Sequence, residues 1–427
     1  VLAKGAAVGA AVALGACTGR AVPRARPTPH DPRVVVVGAG LAGLTAAFRL
    51  HLAGVPVGLF EARDRVGGRC WTARGFPDGQ IAEHGGEFID TRHVHLLRLV
   101  DELGLEVDDL WEGWVEGSIW PSWVGGEVLV RSQVREQLAP IVAAVRAEAR
   151  RIGALDEDGI ASIDAMAYGT ATPAAVELDA RSMADWLDEH VPGVIGSPIG
   201  SYLDASMSGW YGLEMAHLSA CAWIDYFVLP WPRADERWHV RGGNDRVPAR
   251  LSEELPEGTL RLETPLEALR VRSDGVAELR FGGIPSPVAA DVVILALPFT
   301  TLRRVDLDGA GFAPERLAAI RGLGMGTDVK LLVPYDRRPS AYRVAGRPWS
   351  GGMTHTEPEF ETWESSAAQP GESGLITVYA GGTSGASWTA PDPHGPAPAG
   401  LVDEYVGHVD RVVPGSAEAF AGGAWVD

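Results

Sequence analysis

At 427 residues the chain exceeds one typical domain, and with 46% apolar residues it can bury a large core. Its net charge of −19 excludes a protein that grips nucleic-acid phosphates through clustered Lys and Arg. No apolar run reaches the ~18 residues that a membrane-spanning helix needs.

Residues 5–16 form a short apolar stretch of small residues ending in LGAC at 14–17. About a dozen residues cannot cross a bilayer, but they suit the apolar part of a secretory signal. The residues before Cys17 resemble the lipobox of bacterial lipoproteins, which implies a lipid anchor at that cysteine. Residues 18–32 are rich in Pro and Arg and read as a tether. Residues 1–32 are therefore expected to be a leader and tether of an exported protein, periplasmic or extracellular. A disordered leader on a cytoplasmic protein is the alternative.

The most informative stretch follows. VVVV at 34–37 is a β-branched run of the kind found in buried parallel strands. Gly38, Gly40 and Gly43 then complete a G-x-G-x-x-G turn. The first glycine permits the tight turn, the second lets backbone approach a pyrophosphate, and the third lets helix pack on strand. A helix starting near Leu41 would point its free N–H groups at the phosphates. A second apolar run, 55–60, ends in Glu61, about 20 residues on, where a ribose-binding carboxylate belongs. The ordered set of strand, glycines, helix, strand and acid predicts a dinucleotide site.

From Arg92 to about Asp235 the pattern is mostly helical. Helices are expected at 94–103, within 127–152 (interrupted early by Pro140), at 183–190 and at 201–207. Strand patterns return at 260–263, 266–272, 277–281 and 292–297, after a glycine turn and helix in 237–255. A helix at 314–321 and strands at 329–333 and 375–380 follow. Residues 391–400 read as a proline-rich loop. Lysine occurs only at Lys4 and Lys330 among 37 Lys and Arg, so Lys330 stands where Arg apparently would not serve. The three cysteines, Cys17, Cys70 and Cys221, have no metal-ligand spacing, and the last two read as buried thiols. His84 and His93 read as hydrogen-bonded structural residues.

GAGLAGLTAA, FEARDRVGGRCWT, EHGGEFID, RGGNDRVPARL, VVILALPFTTLRRV and GMGTDVKLLV together resemble the flavin-containing monoamine oxidase family, over about residues 33–427. The resemblance implies an α/β fold in which an FAD-binding Rossmann-like domain (33–90 and 236–299) interleaves with a mixed α+β substrate domain (91–235 and 300–427). It implies FAD as cofactor, a small-molecule amine as substrate and dioxygen as oxidant. By position, Gly38, Gly40 and Gly43 would face the pyrophosphate, Glu61 the adenosine ribose and Arg63 the adenosine end. Gly68 and Arg69 would line the pyrophosphate and ribityl path. Gly85, Gly86, Glu87 and Phe88 would run beneath the flavin ring, and Leu266 would contact adenine through its backbone. Lys330 would hold a water near the reactive flavin nitrogen and supply positive charge.

Read from the residues alone, Glu87 is more simply a buried charge paired to an arginine. Some of Trp111, Trp114, Trp120, Trp123, Trp210, Tyr211, Trp223, Tyr226, Phe227 and Trp231 are expected at the substrate cavity, and most in the core. An arginine that clamps a substrate carboxylate in amino-acid-oxidising relatives has no match here beyond nearby Arg92. The expectation is therefore an amine oxidase. Open alternatives are an L-amino-acid oxidase, a flavin desaturase resembling protoporphyrinogen oxidase, and a flavin-binding protein without turnover. The family also has a further C-terminal segment completing the flavin site, expected just after Asp427, so residues 1–427 alone are expected to bind FAD weakly.

Overall fold

A computed structural model describes residues 33–161, 171–228, 235–392 and 394–427, with the side chains of 225–228 left aside. The leader with Cys17, the side chains of Tyr226 and Phe227, and Trp231 lie outside the described residues.

The β-branched run forms the strand Val34–Val37, central in a four-stranded parallel sheet. Its neighbours are Val292–Leu295 and Val57–Phe60, with Val34 opposite Val292 on one side and Val57 on the other. Leu260–Arg261 completes the sheet beyond Val57–Phe60. All four valines are buried because both faces are covered. Val36 packs with Leu44, Ala47 and Phe48 of the helix Leu41–Leu52. Val35 and Val37 pack on the other side with Leu269, Leu279 and Phe281.

Those last residues belong to an antiparallel layer of Val288–Ala290, Ala277–Phe281 and Leu266–Val271, joined by Asp306–Gly309. Phe60 and Phe281 stack at 4.1 Å across the two sheets. Asp306–Gly309 lies beyond residue 299, where the sequence reading placed the boundary of this part of the chain.

A mixed eight-stranded sheet forms the other half. Its order runs Gly395–Pro396, Trp425–Val426, Asp328–Tyr335, Gly374–Gly381, Glu359–Glu364, Met353–Thr356, Ser122–Val124 and Glu127–Leu129. One face packs Leu331, Val333, Phe360 and Val378 under the helix Ala399–Val412, through Tyr405, Val406 and Val409. Lys330, Tyr379 and Glu361 are register partners across three adjacent strands and share the opposite face.

The segment 92–235 is less helical than its composition suggests. Val107–Asp109 pairs with Trp238–Val240, and Ser122–Val124 turns through Gly125 and Gly126 into Glu127–Leu129. Two adjacent glycines at positive φ make that hairpin, a signal present in SWVGGEVL. Nor does Pro140 interrupt its helix: Arg131–Arg151 is continuous over 21 residues. Pro140 and Glu136 are both on the exposed face, where water can satisfy the carbonyl that the proline leaves without a donor. This helix packs with Pro173–Asp179, Met183–His190 and Ala220–Val228 around Trp186 and Trp223, so Trp223 is core. Cys70 and Cys221 are both buried, and burial pushes the Cys70 thiol up to about 12. Among the described residues no helix is long and apolar enough to cross a membrane.

Candidate active site

The glycine turn opens a backbone trough. Gly38 has φ +100, and a Cβ there would meet the Ala296 carbonyl at 2.6 Å. A Cβ on Gly43 would lie 1.8 Å from the Gly38 carbonyl. Helix and strand therefore touch through bare backbone at these two points. Gly40 differs: a Cβ there would meet no protein atom within 4 Å, so open space faces its α-carbon at the helix N-terminus. Glu61 ends the second strand. Its carboxylate accepts from the Ala39 amide (2.7 Å) and the Arg63 amide (2.9 Å), which fixes it beside the turn.

The trough continues in both directions. Gly67 donates its amide to Ala39, and a Cβ on Gly68 would come within 3.3 Å of Gly40 Cα. Arg63 and Arg69 are exposed, and Arg63 reaches the Gly68 carbonyl at 3.4 Å. The Gly86 amide donates to the Arg69 carbonyl at 3.1 Å, and a Cβ on Gly85 would lie 1.8 Å from that same carbonyl. Gly86 again faces open space. At the other end, the amides of Glu263 and Thr264 bond to the carbonyls of Arg63 and Glu61, which brings the start of the Leu266 strand beside the Glu61 end.

Lys330 reaches the Gly85–Phe88 loop from its strand in the mixed sheet. The ammonium donates to the Glu83 carbonyl (3.0 Å), the Gly85 carbonyl (2.8 Å) and Glu87 Oε2 (3.0 Å). It also lies 5.3 Å from the centre of the Trp363 ring. Glu87 is thus a buried paired charge, and its partner is this lysine rather than an arginine. His84 bonds to Asp427, and His93 accepts from the Asp90 amide at 3.1 Å.

Around Lys330 one face of the sheet stays open. Glu361, Trp363 and Tyr379 are partly accessible, whereas Phe360, Thr362, Val378 and Ala380 on the other face are buried. Phe88 meets Trp363 edge-on at 5.5 Å, and Trp363 meets Tyr379 at 5.3 Å. Glu361 accepts from Thr354 Oγ1 at 3.2 Å and forms no ion pair among the described residues. Burial pushes its carboxyl up to about 8, with Thr354 opposing and the nearby Glu236 adding. Glu236 is itself pushed up to about 7 by burial and by Asp90, Glu87 and Asp235. Two strands of ~4.8 Å spacing put Glu361 about 10 Å from Lys330 along the sheet. Arg92 is exposed and faces Asp90 at 3.5 Å.

The glycine trough, a carboxylate fixed beside its turn and an exposed backbone loop over a buried lysine fit a flavin dinucleotide, for which Gly40 and Gly86 leave open space. The family model for flavin-containing amine oxidoreductases matches residues 41–420. The chain belongs to this family. Over 258 residues it is 35% identical to putrescine oxidase of Kocuria rosea, a match covering 58% of this chain and 51% of that enzyme. The chain therefore spans about half the length of that curated relative. A solved putrescine oxidase bound to putrescine superposes with a TM-score of 0.72 at 21% identity, covering 92% of this chain and 84% of that one. Cyclohexylamine oxidase from Brevibacterium oxydans IH-35A gives 0.74 at 20% identity, over 93% and 84%. These likenesses establish the amine oxidase fold, and FAD is the cofactor of this family.

Trp363, Tyr379 and Glu361 were missed by sequence reasoning, which sought site aromatics between Trp111 and Trp231. Trp111 and Trp114 are exposed instead, with the Arg237 guanidinium over Trp111, while Trp120 donates to Thr354 at 3.3 Å beside Glu361. The signal for the rest was the alternation in EFETWE at 359–364, in which Glu359, Glu361 and Trp363 share one face.

Proposed function

We propose that this protein oxidises amines, with FAD as acceptor and dioxygen as final oxidant, and that its preferred amine carries a second cationic group. The observation that carries this reading is Glu361, a carboxyl without an ion-pair partner among the described residues, on the same aromatic face as Lys330 and about 10 Å away along the sheet. The likeness to an enzyme named putrescine oxidase supports it.

FAD, when bound, supplies the hydride acceptor and the reactivity toward dioxygen. The chain's own residues do the rest. Phe88, Trp363 and Tyr379 wall the space beside the Gly85–Phe88 loop and exclude water from the reacting carbon. A low-dielectric aromatic wall favours the neutral amine, whose lone pair is needed as the α-hydride leaves. Glu361 holds the far ammonium and sets which carbon faces the ring. The substrate then departs as an imine, which water hydrolyses to a carbonyl and ammonia. The carboxylate of an amino acid would face Glu361 and Glu236 rather than a cation, which disfavours amino acids.

A peroxide-coupled screen on FAD-loaded protein tests this. Linear diamines should exceed monoamines of equal length by about tenfold or more in kcat/KM, on the scale of ~1.4 kcal/mol per tenfold. No peroxide from any amine at full flavin occupancy rejects the oxidase reading. A preference for amino acids rejects the substrate class.

We further take residues 33–90 and 236–299, with the added strand Asp306–Gly309, as the cofactor domain, and 91–235 with the rest of 300–427 as the substrate domain. We also propose that residues 1–32 direct export, with lipid attachment at Cys17, on the sequence pattern alone. Cell fractionation should find the wild type with membranes and Cys17→Ser without acyl groups by mass spectrometry. An unmodified Cys17 in mature protein defeats that reading.

A further inference from the structure

All three N–H bonds of the Lys330 ammonium are used within the protein, on Glu83 O, Gly85 O and Glu87 Oε2. An ammonium has no fourth donor, so none is left for a water while Glu87 stays in place. The pair also cancels its own charge, with side chains 8% and 6% exposed. A second pair backs the first. The fully buried Glu83 carboxylate accepts from His239 Nε2 at 2.8 Å, from Thr72 Oγ1 and from the Asn244 amide. Burial alone would lower the His239 imidazole, but the hydrogen bond and charge of Glu83, with Glu87 and Asp108, leave it raised. The Lys330–Glu87 and His239–Glu83 pairs thus lie together under the Gly85–Phe88 loop.

We propose that Glu87 is a positioning residue that sets the charge beneath the flavin: it neutralises Lys330 and makes it a clamp on the loop. The flavin chemistry of this chain then runs without a free lysine cation. This departs from the water-holding role that the family resemblance implies for Lys330. It rests on the reading that the loop carries the flavin.

Glu87→Gln keeps the size and one oxygen that can accept from Nζ, but leaves the cation uncompensated. With FAD bound, the flavin midpoint potential should rise, because a nearby cation stabilises the negative charge of the reduced ring. Reduced flavin, generated photochemically without amine, passes two electrons and two protons to dioxygen and yields hydrogen peroxide. That reoxidation should be roughly tenfold faster in Glu87→Gln than in wild type. Glu87→Asp restores the charge and should return both values toward wild type.

The double variant Lys330→Met with Glu87→Leu removes the clamp and both charges together. Its apoprotein should bind FAD about tenfold or more weakly, while the flavin that does bind reoxidises within about threefold of wild type. Unchanged potential and reoxidation in Glu87→Gln overturn the proposal. So does a Glu87→Gln protein that cannot hold FAD, since its clamp keeps the third bond. A slow double variant with undiminished FAD affinity overturns it too. None of these readouts uses an amine, so failure of the amine chemistry would show separately, as normal flavin binding and reoxidation without bleaching by substrate.

Discussion

Replacing Glu361 with Gln should convert a diamine-selective enzyme into an indifferent one. Glu361 and Gln have the same shape, and the Thr354 hydroxyl can donate to either side chain. The charge alone is lost. We expect kcat/KM for a diamine to fall by about 100-fold or more, on the scale of a desolvated charge pair losing one partner, while the value for a monoamine of equal length changes less than about fivefold. Equal losses for both substrates would show that Glu361 acts on the fold and not on the far ammonium.

The pH dependence follows from the same residue. Burial holds the free carboxyl up to about 8. It is therefore mostly protonated at neutral pH and must lose its proton when a cation arrives, because a nearby cation favours the ionised form. Diamine binding should release protons below pH ~8, and affinity should rise with pH up to that value. Calorimetry in buffers of different ionisation enthalpy reads the released protons, and Glu361→Gln should abolish them. In the empty protein the sign for stability is the reverse of a salt-bridged acid. The raised value means that Glu361 contributes most below the ordinary carboxylate range and that stability is lost as pH rises through about 8.

The second large effect divides two glycines three residues apart. Gly43→Ala forces a Cβ to 1.8 Å from the Gly38 carbonyl, so helix and strand must separate. Overpacking against rigid backbone should cost at least the ~1–3 kcal/mol seen for crowded cores and weaken the apoprotein itself. Gly40→Ala meets no protein atom, and its φ of −74° suits alanine, so the apoprotein should melt within about 2 °C of wild type. Its FAD affinity should nonetheless fall by about 100-fold, because the methyl group occupies the approach to the pyrophosphate. Thermal melts of the apoproteins and flavin titration separate the two. Equal FAD affinity in Gly40→Ala and wild type would remove the dinucleotide from the trough.

The glycine turn, Glu61 and the Lys330 strand were legible because each is a local pattern: a buried run, a fixed spacing, a rare residue. The open aromatic face was not, because strand order creates it. Lys330, Tyr379 and Glu361 come together through pairing of Asp328–Tyr335 with Gly374–Gly381 and of that strand with Glu359–Glu364. Nothing within any one strand announces its neighbours. In EFETWE Phe360 and Thr362 turn to the buried face while Glu359, Glu361 and Trp363 share the partly accessible one, a pattern that reads equally well as a strand with a plain solvent face. The partner of Glu87 was misjudged for a similar reason. Arginine is abundant and lysine rare, but it is the lysine that lies directly beneath the loop.

The clamp on the loop joins residues 83–87 to a lysine 247 positions further along the chain, and that lysine's own strand pairs with Trp425–Val426. The first strand likewise waits for Val292–Leu295 to close its sheet. A ribosome adding roughly 5–20 residues per second would need on the order of 10–50 s to supply the lysine after the loop has emerged. During synthesis the nucleotide turn is an early-made half without its counterpart, so the yellow cofactor can be captured firmly only once those later strands have emerged. Apoprotein stalled or truncated before that point would present bare sheet edges to chaperones and proteases.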